Sequence, residues 1–225
     1  MNVYFDIETI PGQPESLHRQ RIAETIKEPG AMKLQATIDA WHNGEGKYAG
    51  EKESAIDEAY RKQSFDGSVG EICSLAWAIG DGDIKAFCDP NISEADLLLS
   101  FFNDVASHMK HEKASPFFIG HYIGGFDLKF VFQRAVINSV KPPFAIPFSG
   151  WHGKDFFCTQ EAWCGKRDNI KMDKLAQVLG IQGKGDMDGS MVWDYFQARM
   201  FEEIQAYNKD DVRIVREIHK RLSFN

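Results

Sequence analysis

The sequence lacks any hydrophobic run of membrane-spanning length. A transmembrane helix needs about 20 consecutive apolar residues, and although 43% of the 225 residues are hydrophobic, polar residues interrupt them throughout the chain. The N-terminus also lacks the basic and then apolar pattern of a secretion signal. These absences argue against an integral membrane protein, and we expect a cytoplasmic protein that does not associate with membranes.

Cysteine is scarce, and its positions show no metal-binding spacing. The four cysteines, Cys73, Cys88, Cys158 and Cys164, form no C-x-x-C motif, which is the spacing typical of zinc sites and of thiol redox centres. Neither a zinc site nor a disulfide framework is therefore indicated. We expect buried or chemically idle thiols.

An excess of positive charge is also missing. The chain has 26 lysine and arginine residues against 33 aspartate and glutamate residues, a net charge of −7. This balance argues against a protein that coats nucleic acid through bulk electrostatic attraction. It does not exclude a protein that holds one strand end through bound cations, because such cations invert the local sign of charge. The basic clusters at 166–167, at Lys171 and Lys174, and at 219–221 are interpreted as solvated surface.

The most informative segment that is present is VYFDIETIPG, residues 3–12. Apolar residues occupy alternate positions, which predicts a β-strand. Asp6 and Glu8 then lie on one face, with Cα atoms about 6–7 Å apart. Two carboxylates out of water repel each other, and a divalent cation such as Mg²⁺ compensates both. In the alternative interpretation, this is an edge strand with Glu8 and Thr9 in solvent.

The remaining pattern predicts a single α/β domain over residues 1–225. Residues 13–66 are polar and are interrupted by proline and glycine, which predicts a helical insertion directly after the first strand. Elsewhere, strands come first and helices alternate with them later, as in a mixed sheet with flanking helices. The predicted helices are 15–27, 31–41, 51–63, 93–111, one from 127, 171–180 and 201–222, and the predicted strands are 3–10, 71–80, 84–89, 116–121 and 155–158.

The last predicted helix carries two polar residues on its apolar face. Tyr207 and Asp211 lie four positions apart, so they are stacked on the face of the aliphatic stripe, whereas Asp210 falls on the solvent side. An aspartate that faces a core needs a compensating partner, either a metal ion or an arginine. The stripe consists of Ile204, Ile214, Val215, Ile218 and Leu222.

A fourth carboxylate, Asp127, stands where a glycine-containing loop enters a predicted helix. Aspartate is a preferred N-cap residue, so capping alone would explain it. The combination of segments is more informative than any one of them. It consists of two acids on the first strand, an aspartate at a mid-chain strand-to-helix junction, and a tyrosine four residues before an aspartate on the final helix.

These segments, FDIET, GHYIGGFD and YNKDD, resemble the three motifs of the DEDD superfamily of 3′–5′ exonucleases, to which polymerase proofreading domains belong. The tyrosine four residues before the last aspartate matches the third motif of the DEDDy branch. The chain as a whole looks like the stand-alone family-B-polymerase-like exonucleases of bacteria and phages. GKGDMDGSMVWDYF, residues 183–196, is also similar to the stretch before the third motif there. The resemblance implies a ribonuclease H-like fold.

The resemblance also implies a site for two divalent cations, Mg²⁺ or Mn²⁺. Asp6, Glu8 and Asp211 would hold the first cation, Asp6 and Asp127 would hold the second, largely through water, and Tyr207 would orient the attacking water. Two such cations suit phosphodiester hydrolysis, because one generates hydroxide and the other stabilises the leaving 3′ oxygen.

The implied substrate is the 3′ end of single-stranded nucleic acid, with DNA favoured over RNA. The sequence does not specify a replication or repair partner. Phe126 could stack on a base, and Thr9 and Lys184 are further candidate contacts, although core packing is the default for a phenylalanine. The superfamily often has asparagine five residues before the second-motif aspartate. In this sequence that position is Tyr122, so the placement of the nucleic-acid strand or the substrate preference is open to differ from that of the superfamily.

Two other functions stay open from the sequence. One is a non-catalytic module that binds nucleic acid or a protein on the same fold, and the other is an endo-acting ribonuclease H-like metal nuclease. The presence of all four acids together with Tyr207 argues against the first, because binding alone requires none of them. A circular single-stranded substrate distinguishes the endo-acting nuclease, which would cut it, from an exonuclease, which needs a chain end.

Overall fold

The computed structural model describes residues 1–48 and 50–224. It divides the chain into two compact units, one formed by Met1–Thr9 together with the chain from Ile72 onward, and the other by Ile10–Glu71. Within the described residues, no helix combines the length and the apolar composition that crossing a membrane requires.

A five-stranded sheet organises the larger unit. Its strands are β1 (Asn2–Ile10), β2 (Glu71–Ile79), β3 (Lys85–Phe87), β4 (Phe117–Gly120) and β5 (Phe156–Cys158), in the spatial order β3-β2-β1-β4-β5. β4 is parallel to both β1 and β5, whereas β2 and β3 are antiparallel. The sheet is therefore mixed, and the hairpin predicted across residues 81–83 is confirmed.

Nine α-helices of very different lengths occur in the described residues. Three belong to the smaller unit: α1 (Glu15–Thr25), α2 (Gln35–Asn43) and α3 (Glu51–Lys62). Six belong to the larger unit: α4 (Glu94–Glu112), α5 (Asp127–Ile137), α6 (Thr159–Cys164), α7 (Met172–Val178), α8 (Val192–Gln197) and α9 (Phe201–Leu222).

The alternation along β1 separates two apolar layers. Val3, Phe5 and Ile7 belong to a core cluster with residues of α4 and α5, whereas Tyr4 packs with Val212 and Val215 of α9 in another cluster. Because side chains alternate along a strand, Asp6 and Glu8 share the face of Tyr4. The sequence therefore directs both acids toward α9.

A local cap explains where α4 begins. The Ser93 hydroxyl oxygen accepts a hydrogen bond from the Asp96 backbone N–H at 3.1 Å, which satisfies a free donor in the first turn of α4. This cap was predicted from the sequence and is confirmed. α9 has the predicted bounds, and its buried face extends from Ile204 to His219.

Some predicted elements were wrong in their bounds or were missed. The helix predicted at 31–41 is α2 at Gln35–Asn43, because a turn after Pro29, closed by the bond from Met32 N–H to the Pro29 carbonyl, delays the start. α6 and α8 were not predicted, since six residues are too few to show a helical period.

The smaller unit is held together by charge as well as by apolar contacts. Arg19 of α1 pairs with Glu53 at 2.6 Å and with Asp57 at 2.8 Å, which ties α1 to α3. Ile56 and Tyr60 are the buried residues of α3. This unit contains residues 13–66; the assignment of those residues as an insertion within one exonuclease domain stays a prediction.

Candidate active site

Two elements that are distant in the sequence bring three carboxylates together. Asp6 and Glu8 come from β1, and Asp211 comes from the apolar face of α9. One carboxylate oxygen from each residue lies within 4.8 Å of the others, and Glu8 and Asp211 are buried while Asp6 is partly accessible. The alternative in which Glu8 lies in solvent is therefore wrong.

The predicted orientation of α9 is confirmed. Tyr207 and Asp211 are buried one turn apart on the inner face. Asp210 has 44% of its side chain exposed and pairs at 3.0 Å with Arg213 on the same outer surface. The two neighbouring aspartates thus have opposite environments, as the helical period requires.

Asp127 reaches the same region by another route. It is the first residue of α5, and Phe126 occupies the N-cap position, so the simple capping interpretation is wrong. The buried Asp127 carboxylate accepts a hydrogen bond from the Ile7 backbone N–H of β1 at 3.2 Å. Asp127 therefore lies beside the strand of Asp6 and Glu8 but outside the group of three close carboxylates.

The loop before α5 is shaped by a close contact. The Tyr122 carbonyl accepts from the N–H groups of Gly125 and Phe126 at 3.0 and 3.1 Å. A Cβ atom at Gly125 would come within 2.4 Å of the Tyr122 ring, so a larger residue at this position would displace that exposed side chain. The turn then delivers Asp127 to β1.

The acids of this region resist ionisation together. Loss of solvation and neighbouring carboxylates raise the pKa of Asp6 and the pKa of Glu8 well above their usual values. Burial raises the pKa of Asp127 to about 7, against hydrogen bonds from backbone amides, and that of Asp211 to about 6, against the nearby Lys184 ammonium. A compensating positive charge would favour the ionised form of all four.

Lys184 supplies part of that charge. Its ammonium group donates to the two Asp211 carboxylate oxygens at 3.0 and 3.1 Å and to the Tyr207 hydroxyl at 2.7 Å. Burial lowers the Lys184 pKa, but the Asp211 carboxylate and its acidic neighbours outweigh this effect, and the net pKa lies above the usual value. The structure thus places a lysine that we predicted as a substrate contact directly on a candidate metal ligand.

Tyr207 remains a neutral phenol in this environment. Burial and the charges of Glu8 and Asp211 raise its pKa. Its hydroxyl therefore keeps a proton for donation, and its ring lies 4.2 Å from the Lys184 ammonium. A neutral hydroxyl beside the carboxylate cluster is suited to orienting a water molecule.

Sequence reasoning missed Asn208. It is fully buried, its side-chain N–H donates to Asp6 at 2.7 Å, and its carbonyl oxygen accepts from the Ser74 hydroxyl at 2.9 Å. Asn208 thereby fixes one Asp6 oxygen in place. Its position four residues after Ile204 on the apolar stripe was the signal that could have revealed it.

Two weaker substrate candidates, Thr9 and Phe126, belong to other parts of the larger unit. Thr9 is half-buried on β1 and, by alternation, belongs to the opposite face from Asp6 and Glu8. Phe126 is half-buried and packs 5.4 Å from the Phe130 ring. These roles stay predictions.

A known protein family matches part of this site. Residues 158–215 match the sequence profile of a family described as "Predicted 3'-5' exonuclease related to the exonuclease domain of PolB". The match includes Tyr207 and Asp211, as well as Lys184, and does not extend to Asp6, Glu8 or Asp127. Curated proteins give no significant match to the chain.

A solved structure matches the fold over nearly the whole chain. The family B DNA polymerase from the hyperthermophilic archaeon Pyrobaculum calidifontis is similar with a TM-score of 0.61 and 14% sequence identity, over 99% of this chain and 24% of the polymerase chain. The fold is ribonuclease H-like. Both the predicted fold class and the predicted resemblance to exonucleases related to family B polymerases are confirmed. The chain spans about a quarter of the polymerase, so the similarity concerns only that portion.

Proposed function

We propose that this protein is a metal-dependent 3′–5′ exonuclease that hydrolyses single-stranded nucleic acid, with DNA favoured over RNA. The observation that carries the proposal is the convergence of Asp6, Glu8 and Asp211, whose carboxylate oxygens lie within 4.8 Å of one another. The Asp127 carboxylate is hydrogen-bonded to β1, the strand that carries Asp6 and Glu8. The profile match over residues 158–215 supports the reaction class. Three of these four carboxylates are buried, and burying carboxylates close together is costly unless positive charge compensates them.

The residues that are present fit a hard divalent cation. All the donors are carboxylate oxygens, which Mg²⁺ and Mn²⁺ prefer. Two oxygens that each lie about 2.1 Å from one ion are at most about 4.2 Å apart. The carboxylate oxygens of Asp6, Glu8 and Asp211 lie within 4.8 Å of one another, so only a small movement of these side chains would bring them into coordination distance of one ion. Asp6, Glu8 and Asp211 would hold one cation, and Asp6 with Asp127 a second.

Two such cations would supply an activated water and would stabilise the charge on the leaving 3′ oxygen. The remaining roles belong to this chain's own groups. The neutral Tyr207 hydroxyl would orient the attacking water, and Asn208 would hold the Asp6 carboxylate in position. Lys184 balances the charge of Asp211, and it would also contact a phosphate of the substrate.

The decisive experiment compares 5′-labelled linear DNA, linear RNA and circular single-stranded DNA, each with Mg²⁺, with Mn²⁺ and with chelator. We expect stepwise shortening of the linear strands from the 3′ end with either metal, and none with chelator. Asp6→Asn serves as the inactive control. Cleavage of the circle would instead establish the endonuclease alternative, and binding of linear strands without any cleavage would establish a non-catalytic module.

A further inference from the structure

A polar pair lies beneath the inner face of α9. The side chains of Ser74 on β2 and Asn208 on α9 are fully buried, and the Ser74 hydroxyl donates to the Asn208 carbonyl oxygen at 2.9 Å. The Asn208 amide nitrogen donates in turn to the Asp6 carboxylate at 2.7 Å. We call these two residues the Ser74–Asn208 pair. One chain of hydrogen bonds thus runs from β2 through α9 to β1 and ends on a candidate metal ligand.

Packing alone does not explain a hydroxyl at this position of β2. Ala76 and Ala78 are buried in the cluster that contains Val212 and Val215 of α9, and alternation along the strand places Ser74 on the same face. Small side chains in this row allow α9 to lie close to the sheet. Ser74 is the polar residue in the row, and a buried hydroxyl is costly unless a partner accepts its hydrogen bond.

The chemistry of the three groups fixes the orientation of the amide. An ionised carboxylate only accepts hydrogen bonds, so the donor side of the Asn208 amide must face Asp6. The carbonyl oxygen then points to Ser74, whose hydroxyl donates to it. The reversed amide would place its oxygen against the Asp6 carboxylate, and the two oxygens would repel each other. Ser74 therefore stabilises the orientation in which Asn208 holds Asp6.

Asp6 is the carboxylate that most needs this support. In the proposed site it serves both cations, whereas Glu8 and Asp211 serve one and Asp127 serves the other. Asp6 is also only partly buried, and the neighbouring carboxylates of Asp127, Asp211 and Glu8 repel its charge. A partly accessible carboxylate among three others would turn toward solvent unless a donor held it in place.

From these observations we infer that the Ser74–Asn208 pair positions Asp6 so that this one carboxylate serves two cations at once. Both members are positioning residues, since neither would bind a cation itself. Replacing the hydrogen-bond partner of a metal ligand typically costs 10- to 100-fold in metal affinity. This inference rests on the proposed function and extends it. Without the pair, Glu8 and Asp211 would still hold one cation, and the second would bind poorly.

The test counts bound metal. Mn²⁺ is titrated calorimetrically into the protein with excess thymidine 5′-monophosphate, whose phosphate group stands in for that of the substrate, and the wild type should bind two Mn²⁺. Asn208→Leu removes both hydrogen bonds at similar side-chain volume. It should keep one tightly bound Mn²⁺ and bind the second about 10- to 100-fold more weakly. Ser74→Ala retains the bond from Asn208 to Asp6 and should weaken the second Mn²⁺ less.

Melting temperatures in chelator separate positioning from a merely structural role. Asn208→Leu leaves the Ser74 hydroxyl buried without an acceptor and should melt at a lower temperature. The double variant Ser74→Ala/Asn208→Leu replaces both partners by apolar groups, a change that is close to neutral for stability. It should regain most of the melting temperature but not the second Mn²⁺, whereas a merely structural role would restore both.

Tyr4→Phe is the matched control. It breaks another buried hydrogen bond between β1 and α9, the one that joins the Tyr4 hydroxyl to the His219 ring nitrogen at 3.0 Å. It should lower the melting temperature and leave the binding of both Mn²⁺ ions unchanged.

The outcomes distinguish this inference from the proposed function. Two Mn²⁺ bound with wild-type affinity by the folded double variant would overturn the inference, and so would a single Mn²⁺ bound by the wild type. A wild type that bound no Mn²⁺ would overturn the metal site and both proposals with it. Two bound Mn²⁺ without hydrolysis of linear single strands would overturn the proposed function alone, and the metal counts of the variants would still decide the role of the pair.

Discussion

Replacing Lys184 by methionine should strengthen metal binding, although it removes a buried ion pair. The Lys184 ammonium touches both oxygens of Asp211 at 3.0 and 3.1 Å, and the two side chains are only 9% and 5% exposed. A divalent cation at Asp211 must either displace this ammonium or approach against its charge. In both cases, removal of the positive charge favours the metal-bound state.

The magnitude follows from the contacts. A hydrogen bond to a charged group contributes roughly 1.5–3 kcal/mol, and releasing Asp211 from it should tighten Mn²⁺ binding about 10- to 100-fold, at 1.4 kcal/mol per factor of ten. Without metal, the broken buried pair should cost about 3 kcal/mol. For a chain of 225 residues, this lowers the melting temperature by roughly 6–12 °C.

Calorimetric titration with Mn²⁺ measures the affinity, and thermal unfolding in chelator and in saturating Mn²⁺ measures the stability. Lys174→Met is the control, because Lys174 is an exposed lysine of α7 whose ammonium donates to the Gln177 side-chain oxygen at 3.2 Å, away from the carboxylates. It should leave both quantities unchanged. If the folded Lys184→Met variant bound Mn²⁺ no more tightly than the wild type, the Lys184 ammonium would not oppose cation binding at Asp211, and the predicted competition would be refuted.

Asp211→Ala should abolish hydrolysis and weaken Mn²⁺ binding, whereas Asp210→Ala should change neither. If single-turnover assays showed the loss of hydrolysis in Asp210→Ala instead of Asp211→Ala, the role of the inner face of α9 would be refuted. Tyr207→Phe should lower kcat by roughly 100-fold, the lower end for a group that positions a proton or water, with unchanged Mn²⁺ affinity; a wild-type rate would remove Tyr207 from the mechanism. The pKa values of about 7 for Asp127 and about 6 for Asp211 lie above the usual 3.8, so the folded state binds more protons than the unfolded state between about pH 4 and pH 7, and metal-free stability should fall as the pH rises through that window. Mg²⁺ should therefore raise the melting temperature more at pH 8 than at pH 5, and equal increases would contradict the assignment of these acids as ligands.

The sequence alone determined which residues share a face. Alternation along residues 3–10 put Asp6 and Glu8 on one side of a strand, and the spacing of four put Tyr207 and Asp211 on the inner side of a helix. These relations are local consequences of strand and helix geometry, so they hold whatever the rest of the chain does. The long elements were predicted well for the same reason, whereas the six-residue helices α6 and α8 were not.

The packing of distant segments sets which of these faces meet and what lies between them. The contact of Asn208 with Asp6 joins residues 202 positions apart, and that of Asp127 with Ile7 joins residues 120 apart. Lys184 lies in a glycine-containing connection without periodicity, so nothing local indicated that its ammonium would occupy the space beside Asp211. The pairing of Lys166 with Trp151 likewise depends on how β5 and α6 fold back on the segment before them. Periodicity encodes the direction of a side chain relative to its own element, but its partners, its burial and hence its pKa depend on the packing of elements that the chain brings together from far apart.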